Sequence, residues 1–330
     1  MAPLRYFTPF AFLALVPLGG WLGGAWTFLA AAATPLCLAS LDSALGDDDA
    51  SADATTASRW LPRVYILLQL AATGWAAAFV AGPTTSFLEA VGLTLSTGIT
   101  TGVFGFVAAH EMIHSRSAKD RALGLALLGS VLYMHFRIAH VYGHHRRAAT
   151  FEDPASARMG EGLYTFLLRS VAGQFREAWA FEARRQRHYR MITYVALETL
   201  FMLAIALASI RALLFVIAVA VLAVALLESF NYVAHYGLRR RMRPHGRPEP
   251  LGPRHSWNSG RRMNNAALFN MGRHSDHHRR TSRPYGQLEE LSEEPKLPSG
   301  YAAALLTALV PPLWRRVMDR RAEAVMAARL

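Results

Sequence analysis

One cysteine, Cys37, is all that this chain of 330 residues contains. A single thiol excludes a disulfide framework, a paired-cysteine redox motif and an iron–sulfur or rubredoxin-type centre within the chain. Set in an apolar stretch, Cys37 reads as a small buried hydrophobe. Charge is scarce too. Only 18% of residues are Asp, Glu, Lys or Arg, against about 25% in an ordinary soluble domain. With 52% hydrophobic residues and a positive mean hydropathy, there is too little polar surface for a soluble protein of this size. A glycine-rich nucleotide motif is also missing, so reducing equivalents for any redox chemistry have to come from outside.

What the chain does have is a series of apolar runs near 20 residues, the length that crosses a bilayer core. They fall at about 6–24, 26–41, 61–82, 87–109, 191–210 and 213–233. A short charged start before an apolar run also describes a cleaved signal peptide. Here the run resumes at once after the glycines at 20–24, which favours a retained two-helix hairpin. Gly82-Pro83 marks the next tight turn, and Arg211 alone splits the last two runs. The stretch from Asp42 to Asp53 is acidic, small and loop-like. Six spans put both termini and segments 42–60, 110–190 and 234–330 on one side. Nearly all Lys and Arg lie there, which assigns that side to the cytoplasm. The net charge of +12 is then explained by anionic headgroups and acidic partners, without nucleic acid. Tyr301 to Trp314, with Pro311-Pro312 and then Arg315-Arg316, reads as an interfacial helix. The expected fold is all-α: one integral-membrane domain over 1–330, about six transmembrane helices and a cytoplasmic histidine-rich part made of 110–190 and 234–330.

Nine of the 13 histidines fall in four clusters at the cytoplasmic ends of these runs. His110-Glu111-Met112-Ile113-His114 places two imidazoles one helical turn apart, a common metal-chelating arrangement. In His140-Val141-Tyr142-Gly143-His144-His145, an α-helix would set His140 and His144 on one face. His145 would point about 100° away, toward a second metal. Asn231-Tyr232-Val233-Ala234-His235-Tyr236-Gly237 adds one histidine. Arg273-His274-Ser275-Asp276-His277-His278 adds three, at i, i+3 and i+4, which a helix would set on one face within reach of a shared metal or metal pair. Neutral imidazole suits iron, copper and zinc. Nine exceed the roughly six ligands that one ion takes, so two metals share the set. Glu111 and Asp276, inside the clusters, are candidates to hold imidazole N–H groups. His135, His188, His245 and His255 lack a partner at ligand spacing, and His255, before Ser256-Trp257-Asn258-Ser259, is a candidate supporting residue. Open metal positions beside a membrane interior point to O2 activation on a lipid-phase substrate.

These segments resemble the membrane-bound alkane monooxygenases, in the integral-membrane di-iron group with fatty acid desaturases and xylene monooxygenase. The likeness extends through Glu152-Asp153-Pro154-Ala155-Ser156, Arg158-Met159-Gly160-Glu161 and His255-Ser256-Trp257-Asn258-Ser259, and covers about 40 to 320. It implies a non-haem di-iron centre of two iron ions, held by His110, His114, His140, His144, His145, His235, His274, His277 and His278. It implies terminal hydroxylation of an alkane to a primary alcohol, with O2 as co-substrate. It implies two electrons from a rubredoxin or ferredoxin-type carrier fed by an NAD(P)H reductase, with the site facing the cytoplasm of a bacterial inner membrane. Arginines at 239–243 and 279–283 suit an acidic carrier and equally suit anchoring at the membrane surface.

Three positions depart from the family pattern. Ala234 stands where a Glu is usual, Ser115 where a basic residue is usual, and Phe151 where a Pro is usual. None is a ligand, and the loss of the Glu bears on substrate more than on reaction type. An aromatic methyl group, a terpenoid or a fatty acyl chain are the alternative substrates. Two other classes remain in view. An intramembrane zinc protease would use His110, Glu111 and His114, with Glu111 as general base. A non-catalytic metal carrier or sensor would tolerate loss of the apolar substrate channel but not of metal, and a transporter would place histidines along the bilayer midplane rather than at span ends.

Overall fold

A computed structural model describes residues 2–48 and 60–328. Among these the secondary structure is helical, with isolated β-bridges only. After a 3₁₀ turn (Ala2–Phe7) come α1 (Thr8–Leu22), α2 (Leu29–Leu45), α3 (Leu61–Ala81) and α4 (Phe87–Thr100). A π-turn (Thr101–Gly105) joins α4 to α5 (Phe106–Ile113) in one continuous helical rod. The segment from 114 to 190 carries α6 (Ala118–Ser130), the short α7 (Phe136–Ile138), a second π-turn (Ala139–His144), α8 (His145–Arg147) and α9 (Leu163–Arg184). Two long helices follow, α10 (His188–Ala208) and α11 (Ile210–His235). The C-terminal part holds α12 (Arg262–Ala267), α13 (His274–Arg279), α14 (Tyr301–Ala308) and α15 (Pro311–Ala327).

Five helices among the described residues are long and apolar enough to cross a membrane: Gly24–Leu45, Leu61–Ala81, Phe87–Ile113, His188–Ala208 and Ile210–His235. The expected first span, 6–24, is different in build. Its α-helical part has 15 residues, about 22 Å long, short of the roughly 30 Å core. The 3₁₀ turn before it, with its longer rise of about 2 Å per residue, extends the rod. Gly23 and Gly24 make the turn between α1 and α2 with φ of 73° and 54°, values that favour glycine.

Local sequence explains the ends of the rods. Ser86 and Glu89 form a reciprocal capping box at the start of α4, and Ser209 caps α11 by accepting the Ala212 amide. Three turns meet at one end of the bundle. The Gly24 amide donates to Glu89, and Arg211 donates to the carbonyls of Gly82 and Thr85. The opposite end carries everything else. There Arg5 pairs with Asp48, and Arg63, two residues into α3, pairs with Asp120. The acidic stretch expected as a loop at 42–53 is helical to Leu45, and Asp42 and Asp48 are buried. Residues 49–53 lie outside the described part. The expected interfacial helix 301–314 is two helices, because Pro311-Pro312 cannot continue the first; they end α14 and open α15.

Candidate metal centre

The nine clustered histidines converge in two adjoining sets. His110, His114, His140, His145 and His277 form one; His144, His235, His274 and His278 form the other. Within each set the nearest ring nitrogens all lie within 4.8 Å of one another. The α4–α5 rod delivers His110 and His114 from its last turn, and α11 delivers His235 as its final residue. α13 divides its three: His274 and His278, one turn apart, face one set, and His277 faces the other.

The middle segment contradicts the spacing expected of an α-helix. His140 and His145 share a set, and His144 belongs to the other. The cause is the π-turn at 139–144, which widens the helix so that residues five apart line up on one face. Consecutive residues therefore serve different sets, at His144 and His145 and again at His277 and His278.

The donor atoms fit a metal. Metal–imidazole bonds of about 2.0–2.1 Å at angles near 90–110° set neighbouring nitrogens about 2.9–3.4 Å apart. The Nε2 atoms of His110 and His140 are 2.8 Å apart, and that of His145 lies 3.0–3.1 Å from those of His140, His114 and His277. In the second set the His235, His274 and His278 Nε2 atoms are 3.0–3.3 Å apart. One proton on His145 cannot satisfy three neighbours. The Nε2 of His144 is buried with no hydrogen-bond partner among the described residues, as expected of an atom aimed at an ion. Burial, and after it the neighbouring imidazoles, hold His140, His145, His274, His277 and His278 well below the usual imidazole pKa. They are therefore neutral, the form that ligates.

Two rings are oriented from behind. Asp153, fully buried, accepts His144 Nδ1–H at 2.8 Å and the Ser156 hydroxyl at 2.6 Å. Burial alone would raise the Asp153 carboxyl, but His144 and Ser156 outweigh it and hold it below the usual range. The carbonyl of His255 accepts from His235 Nδ1 at 3.2 Å. The two carboxylates expected in this role have partners of other kinds as well. Glu111 accepts the Tyr285 amide, and Asp276 accepts from Arg283 and from the Glu289 amide. Asp153 was legible only as part of a shared motif, because its nine-residue separation from His144 follows no helical period.

The loop before α13 is pinned from three sides. Phe269 and Asn270 take positive φ, and Asn270 Nδ2 donates to Tyr6 Oη and the Tyr285 carbonyl. Buried Arg273 reaches the Leu288 carbonyl and Asp48. A side chain at Gly272 would meet Asn265 Oδ1 at 2.4 Å and the Ser259 carbonyl at 2.6 Å, so only glycine fits this close approach.

A cavity of about 320 Å³ opens beside the histidines. Its walls are α2, the α4–α5 rod, α11 and α14, through residues such as Leu38, Val103, Phe106, Leu226 and Leu305. His110, His140 and His274 form its floor, so it touches both sets. Phe136 stacks on His140 at 4.8 Å and Phe230 meets His274 edge-on at 5.7 Å. Ala234 is fully buried, and its carbonyl accepts the Trp257 amide. Ser115 donates to Asp120, and Phe151 lies under the guanidinium of Arg239.

Known proteins resemble this chain over most of its length. Residues 85–307 match the fatty acid desaturase family model. The chain is 40% identical over 307 residues to alkane 1-monooxygenase 1 of Pseudomonas aeruginosa, covering 87% of this chain and 80% of that protein. It is 38% identical to alkane 1-monooxygenase of Acinetobacter baylyi over 271 residues, 79% of this chain and 66% of that one. The hydroxylase component XylM of xylene/toluene monooxygenase from Pseudomonas putida is more distant, at 28% over 95% of this chain and 87% of that protein. The chain thus belongs to the fatty acid desaturase family of integral-membrane proteins, on its alkane 1-monooxygenase branch.

Proposed function

We propose that the two histidine sets each hold an iron ion and that the chain hydroxylates the terminal methyl group of an alkane, giving a primary alcohol. The observation that carries this reading is the apolar cavity whose floor is His110, His140 and His274. An extended hydrocarbon entering it end-on meets the metal site with its methyl group first. Two bound irons would supply the reduction of O2 that the chemistry requires.

The remaining work belongs to the chain. Phe106, Phe136 and the leucines of α11 and α14 exclude water from the reacting end and align the hydrocarbon with the floor. Asp153 and the His255 carbonyl fix the tautomers of His144 and His235, leaving each Nε2 free to ligate. Two electrons arrive from an acidic carrier of the rubredoxin or ferredoxin type. Exposed Arg241, Arg243 and Arg279 give it a basic landing surface, and Arg279 directly follows His278. The basic, histidine-bearing end faces the cytoplasm of a bacterial inner membrane. The zinc-protease reading uses His110, Glu111 and His114 and leaves the second set, His144, His235, His274 and His278, without a role. The aromatic-methyl reading follows the more distant relative.

The deciding experiment measures metal content and product on detergent-purified protein from iron-replete cells. Roughly two irons per chain, lost in His274→Ala or His277→Ala, together with octan-1-ol from octane, O2 and a reduced carrier, is the expected result. One zinc per chain, indifferent to those substitutions, would overturn it.

A further inference from the structure

We infer that the cavity is built for an alkyl chain that carries a hydroxyl at the end remote from the reacting methyl, with Thr34 receiving that hydroxyl. The inference rests on the alkane-hydroxylase reading and narrows its substrate class.

Hydroxyls inside apolar helices normally bond back to their own helix. Ser40, Thr94, Thr199, Ser229 and Thr307 each do so here, donating to the carbonyl four residues earlier. Thr34 does not. It is 1% exposed and lines the cavity, and its Oγ1 has no partner among the described residues. Thr97 is also unpartnered, but it is not part of the cavity wall. The residue after Thr34 is Pro35, inside α2. Proline has no N–H for the Ala31 carbonyl, so the regular helix bond is not made at this point of α2. A substrate hydroxyl is both donor and acceptor, and so is the Thr34 hydroxyl that would receive it.

The depth is right for a second end. The Ala31 amide donates to Ser96 Oγ, which sets α2 and α4 in register. Thr34 is therefore level with Ile99, which lies eleven residues before His110 in the same rod, about 16 Å at 1.5 Å per residue. Ile99, Val103, Phe106, Leu222 and Leu226 line the space between. Two turns further along α2, Asp42 reaches the cavity near the histidine end. Its Oδ1 accepts the Asn264 amide, and its Oδ2 has no partner among the described residues.

The reaction is unchanged in kind. One C–H bond of the far methyl breaks and one C–O bond forms. One oxygen atom of O2 enters the product and the other leaves as water, with two electrons from the carrier and two protons from solvent. A primary alcohol thus becomes an α,ω-diol.

The test compares decan-1-ol with decane on the iron-loaded protein with its reduced carrier. Readouts are the ratio of kcat/KM for decane-1,10-diol formation to that for decane hydroxylation, and the thermal midpoint with each ligand. Thr34→Val, which keeps volume and removes the hydroxyl, is expected to lower the ratio about tenfold. It should also abolish the extra protection that decan-1-ol gives over decane. Thr34→Ser is expected to retain both. An equal ratio in wild type and Thr34→Val overturns the inference, as does oxidation of decan-1-ol at its carbinol carbon alone. If wild type does not oxidise decane, the alkane-hydroxylase reading falls, and the difference in thermal protection still decides the subsite.

Discussion

Asp153 is fully buried and faces His144, the one ring among the nine clustered histidines whose Nε2 has no hydrogen-bond partner among the described residues. Removing its charge while keeping its shape isolates the orienting role. Asp153→Asn is expected to weaken metal binding by about 10- to 100-fold, measured by competition with a chelator. The neighbouring exposed change Glu152→Gln should leave affinity as it was. A second residue reports on pH. Burial lifts the Glu294 carboxyl from 4.5 to about 7. The folded protein therefore holds a proton there that the unfolded chain has released. The resulting stabilisation is complete below about 4.5 and is lost as pH rises through about 7. Glu294→Gln should raise stability at pH 8 by roughly 1–3 kcal/mol and change it little at pH 4.5, flattening the pH dependence of the thermal midpoint.

Helices announce their own ends here, and the elements that read correctly are those with simple causes. The α4–α5 rod and α11 follow from apolar length, a capping serine and a glycine or arginine break. The pairing of histidines one turn apart was legible where the helix is regular, as at His110 with His114 and at His274 with His278, whereas the separation of His277 from the other two in α13 was not. Pairing was illegible at 139–144, since no residue in that stretch signals a π-turn and the 3.6-residue period misassigns both His144 and His145. Asp48 was hidden for another reason. Its partners, Arg5 and Arg273, lie 43 and 225 residues away, a distance that no local pattern encodes. The loop before α13 gives a prediction at this scale. Gly272→Ala forces a methyl against Asn265 and the Ser259 carbonyl. It should cost about 1–3 kcal/mol and lower metal occupancy, read by thermal midpoint and iron per chain.

The whole molecule divides into two ends: three tight turns on one side, and the histidines, ion pairs and basic loops on the other. The single native thiol makes this division testable. In a Cys37→Ser background, Thr84→Cys, at an exposed turn, should react with an impermeant maleimide in intact spheroplasts. Ser282→Cys, exposed four residues beyond His278, should react only after permeabilisation. The opposite pattern would reverse the proposed orientation. The broad architecture was readable from apolar run length because a bilayer fixes that length. The cavity was not, since its lining leucines and phenylalanines follow the same period as those that face lipid.

Two peptide bonds, His144–His145 and His277–His278, each tie one histidine set to the other. A backbone shift that closes one set around its ion moves a ligand of its neighbour through a rigid planar unit. If each set holds an ion, loading is expected to proceed as one event. Titration of metal-free protein with ferrous ion should pass from empty to doubly filled with no plateau at one ion per chain, and losing either ion should release both.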